Sequence, residues 1–170
     1  EEIKIPKKVL EKEKLDQVFN MYLHTYVSAC LKELGGFTGE KQEILCSITD
    51  MWFNEMQPGG EYNPAHFHAN CFVSSTLYLK VPKLKKKIKG EDNEHCKVNR
   101  DGVIEFIDRS VAPDFLQRGT FPVEPEEGAM YMWPSNLLHL VYPFFGDEVR
   151  RSVAWNGTYR VVGKEFLKEN

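Results

Sequence analysis

The sequence lacks the features that mark a membrane protein or a nucleic-acid-binding protein. No apolar run approaches the roughly 18 residues that a membrane-spanning helix needs. Neither sign of charge dominates, since 22 Lys and Arg stand against 25 Asp and Glu, and the formal net charge is only −3. Overall charge therefore gives no reason to expect attraction to nucleic acid or to an anionic membrane. We expect a soluble protein without either partner.

Cysteine is also scarce, and its spacing is uninformative. Cys30, Cys46, Cys71 and Cys96 occur singly, with no CxxC pair, which argues against a zinc knuckle or a dithiol redox motif.

The first residues, EEIKIPKK, lack the basic-then-apolar pattern of a secretory leader, although a chain that does not begin with Met leaves earlier processing open. Reduced thiols and a cytoplasmic location are the simpler expectation.

Length and apolar content indicate one domain, spanning residues 1–170, because 170 residues with 42% hydrophobic content suit a single core. Across residues 9–34, apolar side chains recur at three- and four-residue steps. This spacing predicts an amphipathic helix that follows Pro6 and stops at Gly35 and Gly36. The helical part is therefore placed in residues 1–36.

After Gly60 the sequence changes to short β-rich runs broken by Pro, Gly and Asn. Such runs predict an all-β sandwich, barrel or jelly roll. The runs are FVSSTLYLKV, GVIEFI, GAMYMW, LLHLVY and RRSVAWNGTYRVV. The Lys-rich and then acidic segment at 84–99 is expected to be an exposed excursion between two strands.

Three of the five histidines are candidates for a metal site. His66 and His68 lie two apart in NPAHFHAN, so in an extended strand they point to one face, which Asn70 would share. His139 would add a third imidazole from a distant strand. A ligand pair on one strand and a single ligand on another can form a three-ligand site with open positions, although imidazole equally suits zinc, copper, nickel and iron. The remaining two histidines, His24 and His95, are expected to be structural.

A candidate anion receptor follows His139 in the chain. Arg150 comes after ten intervening residues, and Ser152 makes the local pattern R-x-S. The two side chains share a strand face, and a guanidinium with a nearby hydroxyl suits a carboxylate. Arg151 should face the opposite way, as an exposed charge.

These motifs resemble the Fe(II)/2-oxoglutarate dioxygenase superfamily, in particular its prolyl-4-hydroxylase-like branch and the small oxygenases of marine phages and bacteria. The resemblance covers about residues 50–160. It rests on WFN at 52–54, GGEYNPAHFH at 59–68, SSTLYLKVP at 74–82, EPEEGAMYMWPSNLLHLVYP at 124–143 and RRSVAWN at 150–156.

The resemblance implies a double-stranded β-helix, a jelly roll, with its core at about 44–162 and an N-terminal helix against one sheet. It implies that Fe(II) is held by the three histidines and that 2-oxoglutarate is held by Arg150, Ser152 and Tyr78. Dioxygen would be consumed to hydroxylate a substrate, and the oxidising chemistry would belong to the metal and the co-substrate rather than to a catalytic side chain. The residues expected to line the substrate pocket are Trp52, Asn54, Asn70, Trp133 and Asn156.

One departure from the superfamily concerns the third ligand, where His-x-Asp or His-x-Glu is usual and this sequence has His68. Small phage-type relatives carry an HxH pattern, so His66 and His68 are preferred. The alternatives are His68 with Asn70, or a carboxylate from Asp50, Glu55 or Glu61.

The substrate is left open among peptidyl, nucleobase and small-molecule targets, with peptidyl proline the first candidate, because specificity in this fold lies in loops such as 84–99 and 113–120. The sequence does not indicate an oligomeric state. Two rival interpretations are a three-histidine cupin enzyme that uses no 2-oxoglutarate, and a non-catalytic jelly-roll binding or virion-associated module.

Overall fold

The computed structural model describes residues 1–35, 39–83, 100–110 and 119–164. The segment 84–99, with His95 and Cys96, and residues 113–118 of the second specificity loop lie outside this part of the chain. The described elements are, in order, β1 (Glu2–Lys4), α1 (Lys7–Lys12), α2 (Leu15–Glu33), β2 (Gln42–Met56), β3 (Asn63–His66), β4 (Val73–Lys80), β5 (Ile104–Ile107), β6 (Thr120–Val123), β7 (Met130–Pro134), β8 (Leu138–Val141) and β9 (Arg150–Gly163).

The predicted single helix is in fact two helices, α1 and α2. Lys14, between them, has a φ of 55° in the left-handed region, which a helix of L-residues cannot continue through. Apolar spacing runs across the break because both helices bury side chains in the same core, Leu10 from α1 and Leu23 from α2. The predicted limits are confirmed: α1 follows Pro6, and α2 ends before Gly35, whose φ is 69°. No helix in the described ranges is long and apolar enough to cross a membrane.

The strands form the predicted jelly roll of two antiparallel sheets. One sheet has the order β1-β2-β9-β4-β7, and the other has the order β3-β8-β5-β6. The five β-rich runs identified in the sequence contain β4, β5, β7, β8 and β9. The long strand β2, which lies before Gly60, and the short strands β1 and β6 were missed as strands. Of the cysteines, Cys30, Cys46 and Cys71 are free thiols.

The two faces of the larger sheet have opposite character because side chains alternate along each strand. The outer face carries Met51 and Trp155, which pack with Phe19, Leu23 and Val27 of α2 in one hydrophobic cluster. The inner face is polar and faces the smaller sheet. Its side chains come from three adjacent strands in matched register: Trp52, Ala154 and Thr76 in one row, and Asn54, Ser152 and Tyr78 in the next.

Helix α2 packs closely against the larger sheet at Gly157 of β9. Leu23 has no exposed surface, and a Cβ at position 157 would lie 2.5 Å from its Cδ2 atom. The absence of a side chain at Gly157 therefore sets how closely the helix covers the sheet.

We predict that Gly157→Ala lowers the free energy of unfolding by about 1–3 kcal/mol, because a closely packed core does not accept an extra methyl group without strain. The cost should fall sharply in a Leu23→Ala background, which removes the clashing atoms. Urea unfolding of the two single variants and the double variant measures this coupling. Gly119→Ala, where the nearest contact of a new Cβ is Asp108 O at 3.6 Å, is the control. Equal costs of Gly157→Ala in both backgrounds would contradict the packing described.

Candidate active site

Three histidine side chains converge between the two sheets. His66 ends β3 and is paired in register with His139 of β8, so that their ring centroids lie 4.3 Å apart. His68 lies just beyond the end of β3, where its backbone N–H donates to Ser135 O at 3.0 Å. One nitrogen from each ring lies within 4.8 Å of the others, a spacing that allows all three to bind one ion. The structure thus brings the three predicted residues together, although His68 lies beyond the strand that was predicted to carry it beside His66.

The backbone fixes the ring orientation of two of these histidines. His66 Nδ1 is 2.7 Å from Pro64 O, and His139 Nδ1 is 3.0 Å from Leu137 O. A carbonyl oxygen only accepts hydrogen bonds, so Nδ1 of each ring must carry the hydrogen. The Nε2 lone pair of both rings is therefore free for a metal, an arrangement that recurs at metal sites in proteins.

The ring of His68 is held by two neighbouring aromatic rings and by a side-chain amide rather than by a backbone carbonyl. Its ring stacks on Trp52 at a centroid distance of 5.7 Å and on His139 at 5.3 Å. Its Nδ1 atom lies 3.3 Å from Nδ2 of Asn156, which is buried behind it on β9.

Burial keeps two of the rings neutral. Desolvation lowers the pKa of His139 to about 4, and the neighbouring rings of His66 and His68 contribute in the same direction. Desolvation, followed by repulsion from His66, also lowers the pKa of His68. Because a metal binds the unprotonated ring, these shifts favour metal binding at neutral pH.

The three rings open into a cavity of about 430 Å³ that also contains the predicted anion receptor. Arg150 lines this cavity together with Tyr78 and Ser152, and only 4% of its surface is exposed. Its Nη1 donates to Gly102 O at 3.0 Å, and its guanidinium carbon lies 5.4 Å from the centre of the Tyr78 ring. Its buried Nε atom has no hydrogen-bond partner among the described residues.

Arg150 is thus a buried cation without an anionic partner in the described part of the chain. Burial lowers the pKa of Arg150, against the effect of Tyr78, but a guanidinium stays protonated at neutral pH. An uncompensated buried charge is costly. The cavity is therefore suited to an anionic ligand, and the orphaned Nε–H group can donate to it.

The structure places the remaining predicted pocket residues in three ways. Trp52, Asn54 and Trp133 line the cavity. Asn156 instead lies behind His68, outside the described lining. The prediction that Asn70 shares the face of His66 and His68 is wrong, because β3 ends at His66 and Asn70 is an exposed turn residue with a φ of 62°.

The alternative carboxylate ligands are engaged elsewhere. Asp50 pairs with Lys4 at 2.5 Å, and Glu55 pairs with the exposed Arg151 at 2.8 Å. Glu61 accepts a hydrogen bond from its own loop, from the backbone N–H of Gln57. Among the described residues, the group of side chains in the cavity that could bind a metal contains histidines only. His24 is exposed on α2, as expected of a structural residue.

Several cavity-lining residues were missed in the sequence. Thr76 and Ala154 could have been found, because they lie two residues from Tyr78 and Ser152 on the same strand faces. Glu2 comes from β1, which was missed as a strand, and the others come from β3, β4, β5 and β8: Asn63, Pro64, Ser75, Ile104 and Val141.

A jelly roll that gathers three imidazoles and a buried guanidinium in one cavity is compatible with a non-haem metal-dependent enzyme. Comparison with known families agrees. The family described as "Putative 2OG-Fe(II) oxygenase" matches residues 50–156, more than half of the sequence. The chain belongs to this 2-oxoglutarate/Fe(II) oxygenase family of oxidoreductases. No curated protein sequence matches it.

Solved structures of similar fold include two prolyl 4-hydroxylases. One, from Phytophthora capsici, is 18% identical with a TM-score of 0.50, and the match covers 96% of this chain and 48% of that one. Another, from Pseudomonas putida, is 22% identical with a TM-score of 0.40 and coverages of 65% and 54%. A 2OG-Fe(II) oxygenase family protein from Burkholderia pseudomallei is 13% identical with a TM-score of 0.49 and coverages of 66% and 43%. This chain thus spans about half the length of these proteins, and the likeness concerns the fold.

We predict that the metal-free protein loses stability as the pH falls from 6.5 toward 4. The unfolded chain protonates His139 below its ordinary pKa of 6.5, whereas the folded chain resists protonation down to about 4. The unfolded state then binds more protons, and His139 contributes a slope of at most about 1.4 kcal/mol per pH unit. Urea unfolding of wild type and His139→Gln across this range measures the effect. The two proteins should differ in pH dependence, and parallel curves would show that burial of His139 does not hold its ring neutral.

Proposed function

We propose that this chain couples the oxidation of 2-oxoglutarate to the hydroxylation of an organic substrate, at an Fe(II) centre held by His66, His68 and His139. The observation that carries the proposal is that one cavity contains both a three-imidazole cluster and a buried guanidinium whose Nε has no hydrogen-bond partner among the described residues. Each feature alone has other uses. Together they match a co-substrate with one chelating end and one carboxylate end.

The donor set fits a divalent iron. Imidazole is a suitable ligand for Fe(II), and three ligands from one side of an ion leave positions for other groups. The nitrogen spacing of at most 4.8 Å is compatible with a shared ion. Three neutral rings leave the ionic charge uncompensated, so we expect an anionic co-substrate to strengthen metal binding.

The cavity wall fits the far carboxylate of 2-oxoglutarate. Arg150 offers its Nε–H group, which has no partner among the residues that the structure describes, and its planar guanidinium can make paired charge-assisted bonds to a carboxylate. Ser152 and Tyr78 are direct neighbours in the β4–β9 register, and both are almost fully buried. Their hydroxyl groups are therefore placed in the same wall as Arg150, where they can complete the receptor.

The bound iron would supply the redox chemistry, in which 2-oxoglutarate, O₂ and a substrate C–H bond give succinate, CO₂ and a C–OH group. The protein's own residues bind, orient and shield. Arg150 would fix one end of the co-substrate, the imidazoles would fix the metal, and Trp52 and Trp133 would form apolar walls that exclude water near the reacting bond.

The substrate is proposed to be a peptide, protein or small molecule, and peptidyl proline is the first to test. Support for proline comes from the sequence resemblance to the prolyl-4-hydroxylase-like branch. Asn54 lines the cavity and offers both a hydrogen-bond donor and an acceptor for a polar substrate group.

Two other functions explain less of the site. A cupin-type enzyme with three histidines and no 2-oxoglutarate would use the metal cluster but would leave the buried charge of Arg150 without a ligand. A non-catalytic jelly-roll module would leave both features unexplained.

The direct test is anaerobic reconstitution with Fe(II), followed by assay of succinate formation from 2-oxoglutarate in the presence of O₂. We expect one iron per chain and slow succinate formation without substrate, which proline-containing peptides would accelerate if they are the substrate. Iron binding without any succinate formation would favour the cupin-type enzyme. No iron binding would favour the module.

We predict that Arg150→Met raises the KM for 2-oxoglutarate about 100-fold or more and leaves iron binding unchanged. The variant keeps most of the side-chain volume and removes charge-assisted bonds that contribute about 1.5–3 kcal/mol each. Kinetics at varied 2-oxoglutarate, with iron content measured on the same samples, test this. The matched control is Arg151→Met, which alters the adjacent exposed arginine and should leave KM unchanged. Equal KM values for the two variants would show that Arg150 does not bind 2-oxoglutarate.

A further inference from the structure

His68 differs from the other two proposed ligands in the partner of its Nδ1 atom. For His66 and His139 that partner is a backbone carbonyl, which leaves only one possible position for the ring hydrogen. For His68 it is the side-chain amide of Asn156, at 3.3 Å. An amide has a donor end and an acceptor end, so it can hold either form of the ring.

The amide of Asn156 is itself held by Ser74. The Ser74 hydroxyl donates to Asn156 Oδ1 at 2.9 Å, and the two residues are paired in register on β4 and β9. Ser74 is 1% exposed and Asn156 is 8% exposed, and the Thr49 hydroxyl donates to the Asn156 backbone carbonyl at 3.2 Å. Water has little access to this chain of polar groups, so each group depends on its protein partner.

In this arrangement Asn156 Nδ2–H faces Nδ1 of His68 and donates to it. That bond requires a lone pair on Nδ1, so the neutral ring carries its hydrogen on Nε2. A protonated Nε2 has no lone pair for a metal. This orientation of the amide therefore opposes metal binding through Nε2 of this one histidine.

Turning the Asn156 amide by 180° removes the conflict and requires only that the Ser74 hydroxyl hydrogen turn away from the amide. Oδ1 then accepts a hydrogen bond from Nδ1–H of His68, and Nδ2–H donates to the Ser74 oxygen, since a hydroxyl can serve as donor or acceptor. All three histidines would then present Nε2 to the metal, each with its Nδ1–H bonded to an oxygen.

We propose that Asn156, held by Ser74, is a positioning residue that selects the metal-binding form of His68, and that its amide turns over when the metal binds. This proposal rests on the metal centre proposed above. It also gives a physical reason for a buried amide behind this ligand position. A carboxylate ligand, which the wider superfamily usually has here, needs no choice between ring nitrogens, whereas a histidine does.

The first test measures Co(II) affinity by titration, with visible absorption as the readout. Asn156→Leu has similar volume and no polar group, and it should weaken Co(II) binding by about 10–100-fold, the usual effect of losing such a partner. Asn156→Asp should retain the affinity, because a carboxylate accepts the bond from Nδ1–H. Ser74→Ala should cause a smaller loss. Asn20→Leu, the same change on α2 at a residue whose Oδ1 has no hydrogen-bond partner in the described ranges, should have no effect.

The second test locates the ring hydrogen by ¹⁵N NMR of the histidine side chains, in metal-free protein and in protein loaded with diamagnetic Zn(II). We expect His68 to carry its hydrogen on Nε2 in the metal-free protein and on Nδ1 when Zn(II) is bound. His66 and His139 should carry theirs on Nδ1 in both states. Retention of the Asn156→Asp spectrum outside the site would show that the variant folds.

The outcomes separate this inference from the proposed function. If wild type binds Co(II) and Asn156→Leu binds it equally well, Asn156 has no positioning role and the metal centre stands. A His68 ring that carries its hydrogen on the same nitrogen in both states would overturn the amide turnover. If wild type binds neither metal, the metal centre and this inference both fail.

Discussion

A buried positive charge, with no carboxylate paired to it in the part of the chain that the structure describes, shapes the interior of this molecule. Arg150 lies on the inner face of the larger sheet and is held by one backbone carbonyl and the ring of Tyr78, and its Nε has no partner among those residues. Such a charge is unfavourable unless an anion joins it. A cation bound by the three imidazoles in the same cavity would also require negative charge. A dianionic co-substrate would satisfy both requirements.

The alternation of side chains along β2, β4 and β9 makes this interior possible. Every second residue packs outward under α2, where Met51 and Trp155 join the helix core, and the intervening residues build the cavity. The same strands thus provide stability on one face and binding groups on the other. The close approach at Gly157 fixes α2 on the outer face, away from the cavity, so that the polar inner face needs no helix to cover it.

Residues set by strand alternation could be predicted from the sequence. His68 was also predicted to join the cluster, although it lies beyond the end of β3 and alternation does not place it. Arg150, Ser152 and Tyr78 share a cavity because they occupy matched positions on paired strands, and His139 faces His66 for the same reason. Asn70 was misplaced because β3 ends at His66, which the pattern HFHAN does not reveal. The break at Lys14 was hidden because the apolar spacing continues through it. The contact of Asn156 with His68 depends on tertiary packing between β9 and a loop, which no local pattern encodes.

The most direct test is calorimetric titration of 2-oxoglutarate into the protein, with and without Mn(II) as an inert substitute for Fe(II). It shows whether the three-histidine cluster and Arg150 bind the same ligand. We predict one 2-oxoglutarate bound per chain in the Mn(II)-loaded protein and at least 10-fold weaker binding without metal, because chelation would contribute upwards of about 1.4 kcal/mol. Equal affinity in the two samples, or no binding in either, would contradict a shared site for metal and co-substrate.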